Sequence, residues 1–302
     1  MEEKPIALTV LSNGGGQDTT MLIHRLCTDP IFYQKYVEGD LLIVGSDTGA
    51  EHPHTYENIK IVEELCKKHG VEFYWVGSGS KYHSESWASL THQYKKNKSV
   101  GSAAFRQTCT DNLKVKVVDR FVEQWIANKY YLGTEVKKGK KLYHRFYEDY
   151  GRIKLILGFA AKEESRTSNG NKFDPVWKKK CIVRAYPLIE EGIDRQKAID
   201  YNERAFTHKV FPSNCMICFY QSEEELVWLH RFYPEVFEDW VKMEEAKLSK
   251  YAGQEGVKNL GVYGNKTLRQ KLAGALIKFG DWSDERLNEY KYSHGHCIKS
   301  KY

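Results

Sequence analysis

From Ile6 to Leu11 the chain is an unbroken apolar, partly β-branched run, which predicts a strand buried on both faces. It stops at Ser12-Asn13-Gly14-Gly15-Gly16, and Asp18 to Cys27 then carries apolar residues at helical spacing. Asp40 to Ser46 (DLLIVGS) repeats the strand signal. His54 to Gly70 predicts a second helix, with Ile59, Val62, Leu65 and Cys66 on one face and Gly70 as its stop. Val71 to Val76 predicts a third strand. Strand–helix–strand–helix–strand in so short a stretch predicts an α/β fold, a mostly parallel three-layer sheet with helices on both faces and right-handed crossovers.

Farther along, Asp111 to Asn128 predicts a helix and Ile153 to Gly158 another strand. Asp194 to Phe206 and Glu223 to Leu229 read as helices. The tail from Leu248 reads as helix broken at Gly253, Gly256, Gly261 and Gly264. Residues 1–190 are therefore assigned to the sheet domain, and 191–302 to a mainly helical, cysteine-bearing extension. No internal repeat and no Pro- or Ser-rich linker divides them.

Composition narrows the class. The 302 residues include 46 Lys+Arg and 40 Asp+Glu, a formal charge of +6, which suits a phosphate-rich ligand or a nucleic acid without demanding either. Charged residues at 28% and aromatic residues at 13% exclude a mostly disordered chain. The longest apolar run, Leu155 to Ala161, falls far short of the roughly 20 residues a membrane helix needs. The acidic start Met1-Glu2-Glu3-Lys4-Pro5 and the brevity of Ile6–Leu11 argue against a secretory leader. The expected location is the cytoplasm, where the seven cysteines favour metal or redox chemistry over a disulfide framework.

Two loops carry the chemistry. Ser12-Asn-Gly-Gly-Gly-Gln-Asp-Thr-Thr20 joins a strand to a helix, and three glycines let backbone N–H groups converge before a helix N-terminus, an anion-holding arrangement. Thr19 and Thr20 add hydroxyls, and Asp18 can cap the helix or orient a metal-bound phosphate. Neither the Walker A spacing nor G-x-G-x-x-G is present; the alternative is an ordinary glycine-rich turn. Asp47-Thr-Gly-Ala-Glu-His-Pro-His-Thr-Tyr56 follows the second strand at the same carboxyl edge of the sheet, where open α/β sheets bind ligands.

Together the two loops resemble those of the pyrophosphatase-loop (PP-loop) superfamily, the adenine nucleotide alpha-hydrolase-like enzymes, in its phosphoadenylylsulfate (PAPS) reductase-like branch. That branch carries an S-G-G-x-D-S-like loop, matched by Gly14-Gly15-Gly16-Gln17-Asp18-Thr19. Its D-T-G-x-x-x-P-x-T-Y element is matched by Asp47, Thr48, Gly49, Pro53, Thr55 and Tyr56. Gly14 stands where the family usually has Ser, and Gln17 where many members have Lys, which removes a point charge from the phosphates. Arg106-Gln-Thr-Cys-Thr-Asp-Asn-Leu-Lys114 resembles the branch's R-x-x-C-T-x-x-L-K. Gly158-Phe-Ala-Ala-Lys-Glu-Glu-Ser-Arg166 resembles its G-x-x-x-x-E-S-x-R, and Ser213-Asn-Cys-Met-Ile-Cys218, preceded by Tyr186-Pro187-Leu188, its S-x-C-x-x-C. The likeness runs from about residue 6 to 240 with the motif order intact.

The resemblance implies a site for ATP or an adenylyl sulfate nucleotide, with Mg²⁺. Its nucleotide-binding residues map to Ser12, Gly14, Gly15, Gly16, Gln17, Asp18 and Thr19, and to Asp47, Thr48 and Gly49. Arg106, Lys114 and Arg166 are the cations for phosphate, with solvated surface charge as the alternative for each. Cys215 and Cys218 have metal-ligand spacing. Cys109 and Cys297 are the candidate third and fourth ligands, His294 and His296 alternatives, and relatives in the branch imply a [4Fe–4S] cluster ahead of zinc. Buried small residues or a redox dithiol are the alternatives. Cys27, Cys66 and Cys181 are expected to pack in the interior. The tail His294-Gly-His-Cys-Ile298 differs from the E-C-G-L/I-H motif of sulfonucleotide reductases, although Cys297 beside two histidines remains a candidate nucleophile.

Lys137 to Lys141 followed by Tyr143-His-Arg-Phe-Tyr147 mixes basic and aromatic residues as nucleic-acid surfaces do, with a solvated hairpin as the alternative. Trp228 to Trp240 is expected to be core, and His83, His92 and His208 ordinary surface or packed residues. The functional expectation is cleavage of ATP between its α- and β-phosphates, with AMP transfer to a target, so that sulfur can displace AMP. Asp18 and Cys297 are the catalytic candidates. The expected partners are the nucleotide, a tRNA or DNA acceptor, a sulfur-donor protein and a second copy of the chain. The rival readings are a thiol-dependent reductase of adenylyl sulfate or PAPS using Cys297, and a non-catalytic nucleotide-binding subunit.

Overall fold

A computed structural model describes residues 4–105, 108–137, 139–167 and 174–295. In chain order its elements begin β1 (Ile6–Asn13), α1 (Gln17–Thr28), α2 (Pro30–Tyr36), β2 (Asp40–Ser46), α3 (Pro53–Lys68) and β3 (Glu72–Val76). There follow α4 (Leu90–Asn97), a π-helical turn Asp111–Val115 running into α5 (Lys116–Tyr130), α6 (Lys141–Asp149), β4 (Arg152–Leu157), α7 (Val176–Cys181) and β5 (Ile182–Ala185). The remainder is α8 (Pro187–Glu190), α9 (Arg195–Ala205), α10 (Glu223–Phe232), α11 (Pro234–Lys250), α12 (Leu268–Phe279) and α13 (Asp284–Ser293).

The five strands form one all-parallel sheet in the order β3-β2-β1-β4-β5. β1 is central, and its apolar residues divide by strand alternation between the two faces. Leu8 and Val10, with Leu42 and Val44 of β2, pack against Val117, Val122 and Ile126 of α5 and Phe146 of α6. Leu11, Ile43 and Ile156 pack on the other face against Leu22 and Ile23 of α1, Phe32 of α2, Val62 and Cys66 of α3 and Ala198 of α9. This is a three-layer α/β fold. Each such side chain contributes about 1.5–3 kcal/mol on burial, so the central strands are fixed by apolar area.

α9 packs on α1 and belongs to the sheet layer, so that layer reaches Ala205 rather than stopping near residue 190. Residues 206–221 are irregular, and α10 to α13 form a second, helical core around Trp228, Phe237, Trp240 and Leu268. The aromatic stretch from Trp228 to Trp240 is therefore core. α11 begins at Pro234, whose fixed φ suits a first helical turn. β5 is four residues long and α2 seven, too short for periodicity to reveal. Among the described residues no helix is long and apolar enough to cross a membrane. The basic–aromatic segment is helical from Lys141. Tyr143 and Phe146 are buried, and Lys140 pairs with Glu123 at 2.8 Å, so its aromatics serve the core; Lys138 lies outside the described residues.

Candidate functional site at the carboxyl edge of the sheet

β1 and β4 are neighbours, and the order of the sheet reverses between them, so the crevice beyond their carboxyl ends is the switch point where such sheets bind ligands. The glycine loop lies there. Asn13 closes its first bend, its Oδ1 accepting from Gly15 N–H at 2.8 Å, and Gly15 takes φ +74°, a conformation open to glycine at little cost. α1 starts after Gly16, and no side chain caps it, which leaves the first-turn amides to a ligand. Gly158, just past β4, faces this turn. A β-carbon there would stand 2.8 Å from Thr19 Cγ2 and 3.3 Å from Thr19 N, so its absence keeps the cradle open.

Asp18 is half-buried at this point, and its Oδ1 is buried without a hydrogen-bond partner. Burial pushes its carboxyl up to about 6; Arg195 and Arg166 pull it down, and Glu163 adds to the push. An unpartnered carboxylate oxygen beside free helix amides fits a Mg²⁺ ion carried by phosphates. Arg166 stands 4.0 Å over the Phe159 ring and pairs with Glu163. Arg195 is a site residue that the sequence pattern did not single out, and Glu163, within the Gly158–Arg166 motif, was given no role there. Arg195 merely follows the Asp194 cap of α9, and only packing brings it to Asp18.

The second loop adjoins the first. Asn58 Nδ2 donates to Gly15 O at 3.2 Å and to Thr20 Oγ1 at 2.8 Å, and Thr55 lies against Gly15. Asp47 Oδ1 accepts from Gly49 N–H at 2.7 Å and from the Tyr56 hydroxyl at 2.8 Å; burial, with Asp47 alongside, raises the Tyr56 phenol. Gln17 does something else. Its side chain is buried and donates to Val210 O at 2.9 Å, leaving only its backbone amide for a ligand. Ser213 covers Gly16 so closely that a β-carbon on the glycine would meet Ser213 N at 2.9 Å. Ser12 and Gly14 stay partly exposed at the rim.

The S-x-C-x-x-C segment is thus laid over both loops. Met216 N–H donates to Ala50 O at 2.7 Å, and Cys215 bridges to Glu51. Cys109, Cys215 and Cys218 line one small cavity with Thr48, Lys114, Tyr94 and Phe219. Glu51, buried and unremarked in the sequence, takes the Thr48 hydroxyl at 3.0 Å and Lys114 Nζ at 3.1 Å on one oxygen, with Cys215 Sγ at 3.8 Å. Lys114 therefore serves Glu51 and the cysteine cavity. Burial, with Glu51 next, holds the Cys215 thiol well above its usual range, so it stays protonated.

The thiol donors suit a soft metal, but the cavity, about 20 Å³, has room for about one water-sized occupant. Among the described residues no group of three or more His, Cys, Asp and Glu side chains is arranged to hold a metal ion. Arg106, His296 and Cys297 lie outside the described residues; His294 does not line the cavity and stands 4.0 Å from Glu225. Cys66 and Cys181 are buried and Cys27 half-buried, as packing requires.

No family model matches the chain, and no curated protein matches it. Among solved structures it is similar to the adenylation, ketoreductase, and pseudo Asub multidomain structure of a keto acid-selecting NRPS module, at 13% identity and a TM-score of 0.22. The match covers 52% of this chain and 12% of that one, so the chain spans about an eighth of that structure's length. A likeness that weak identifies neither fold nor function.

Proposed function

We propose that the protein binds ATP, or another adenylyl nucleotide, in the β1–β4 crevice and cleaves it between the α- and β-phosphates. AMP passes to a target and pyrophosphate leaves. The observation that carries this reading is the uncapped start of α1 at the switch point, with the unpartnered Asp18 oxygen beside it. Charge on a leaving pyrophosphate is what fixed amides and guanidinium groups stabilise best, because they are oriented before the reaction begins. Asp18 would hold Mg²⁺, which supplies further neutralisation of that charge.

The adenylated target would be a tRNA or DNA acceptor prepared for sulfur transfer. The adjoining cysteine cavity supports that half of the reading, since Thr48 of the second loop lies 3.3 Å from Cys215 Sγ. No step is assigned to a metal there. Purified protein incubated with ATP, Mg²⁺ and candidate acceptors is expected to release pyrophosphate and leave AMP on the acceptor, with free AMP appearing in equal amount once a sulfur donor is added. Release of ADP and phosphate overturns the reading.

A further inference from the structure

Between the Asp47 loop and α11 lies a cleft of about 540 Å³, within the roughly 300–1,000 Å³ that organic ligands occupy. It is distinct from the cysteine cavity, although Ile217 borders both. Met216, Ile217, Val236 and Met243 give it an apolar wall. Two thioethers in one wall suit a ring or an irregular apolar body, because the unbranched side chain adapts and sulfur packs well against aromatic edges.

The polar part of the lining has one sign. Its charged side chains are Glu51, Glu235 and Asp239, and among the described lining residues none is Lys, Arg or His, in a chain whose formal charge is +6. Its hydroxyls are already committed as donors, Tyr56 to Asp47 Oδ1 at 2.8 Å and Thr91 to Gly49 O at 3.4 Å. The side chains of the cleft therefore offer acceptors, and an anion such as a nucleic-acid backbone finds no side-chain donor there.

Two of the three carboxylates have ordinary explanations. Asp239 pairs with Lys95 at 2.8 Å, an exposed pair of little strength, and Glu235 is an acid in the first turn of α11, where a helix favours one. Glu51 has neither. Its side chain is wholly buried, and Oε1 takes Lys114 Nζ, the Thr48 hydroxyl and Cys215 Sγ, all of which line the cysteine cavity, whereas Glu51 itself lines the larger cleft. Oε2 is buried without a hydrogen-bond partner. An unmet charged acceptor in the interior is costly, and a donor brought by a ligand removes that cost.

We infer that the cleft binds a small organic cation, an aryl or alkyl amine, with its ammonium on Glu51 Oε2 and its apolar body against Met216 and Met243. The site is independent of the nucleotide reading of the crevice and takes a ligand of opposite charge.

The chain has four methionines, and two of them line the cleft, so methionine methyl signals report on it directly. Met21, buried in the core beneath α1, is the internal control. The full chain carrying methyl-labelled methionine is titrated by NMR with tryptamine, tryptophol and indoleacetate, which share a ring and differ in their terminal group. Met216→Leu and Met243→Leu assign the signals. Tryptamine is expected to shift Met216 and Met243 saturably and to leave Met21 in place. Tryptophol, which lacks the charge, should bind about tenfold more weakly, and indoleacetate should not bind. Glu51→Gln should weaken tryptamine about tenfold and bring it level with tryptophol. Because Glu51 also holds Lys114, Glu235→Gln at the exposed start of α11 is the second variant, and should weaken tryptamine about two- to threefold, the size of an exposed charge contact. Tryptophol or indoleacetate binding as tightly as tryptamine, or tryptamine leaving both cleft methyls unmoved, overturns the inference. Unchanged tryptamine affinity in Glu51→Gln or, where that variant does not fold, in Glu235→Gln does the same.

Discussion

The β1–β4 crevice and the cysteine cavity lie at neighbouring strand ends, and each holds a carboxylate with one unpartnered oxygen, but only the cavity sets a lysine against it, Lys114 at 3.1 Å from Glu51. In the crevice, Asp18 keeps an oxygen without a hydrogen-bond partner, and Arg166 and Arg195 both pair with Glu163. In the cavity, Glu51 Oε1 takes Lys114, Thr48 and Cys215, while its Oε2 is buried without a hydrogen-bond partner, beside a space for about one water-sized occupant. Motifs of similar strength in the sequence thus end in environments of different use.

The contrast is sharpest in what mutations should do. Lys114→Met leaves Glu51, with its side chain wholly buried, uncompensated, and should cost about 3 kcal/mol in urea unfolding while ATP affinity is unchanged. Weakened ATP binding without a loss of stability would move Lys114 back among the phosphate ligands and erase the distinction.

Asp18→Asn should act with the opposite sign. A carboxyl raised from 3.8 to about 6 by burial favours the protonated form in the folded state. Its contribution to stability is then fully present below pH 3.8 and is lost as pH rises through 6. In EDTA and without nucleotide, the variant should gain about 1–2 kcal/mol over wild type at pH 7.5, allowing for the partial exposure of the site, and nothing at about pH 3.5. A variant less stable at pH 7.5 would show that Asp18 is satisfied in the free protein. The smallest effect is expected from Gln17→Leu. Losing the bond to Val210 should cost about 1 kcal/mol, and ATP binding should not change. An altered affinity would return the Gln17 side chain to the phosphate site.

The apolar runs from Ile6, Asp40 and Val71, and the spacing from His54, were enough to predict the parallel sheet and α3, because burial on both faces leaves a continuous signature. The positions of the glycine loop and the Asp47 loop at one sheet edge follow from the same pattern. β5 was not legible, being too short, nor was the attachment of α9 to α1, since a helix face does not name what it covers.

Local sequence therefore determined the strands, the turn at Gly14–Gly16 and the residue types that can meet an anion, all of which depend on neighbours a few positions away. Which partners these polar side chains take in the free protein was decided only in three dimensions. Lys114 went to Glu51, Gln17 to Val210 and Arg195 to Asp18 and Glu163. A charge takes the partner that burial sets beside it, and that partner is set by contacts between segments far apart in the chain.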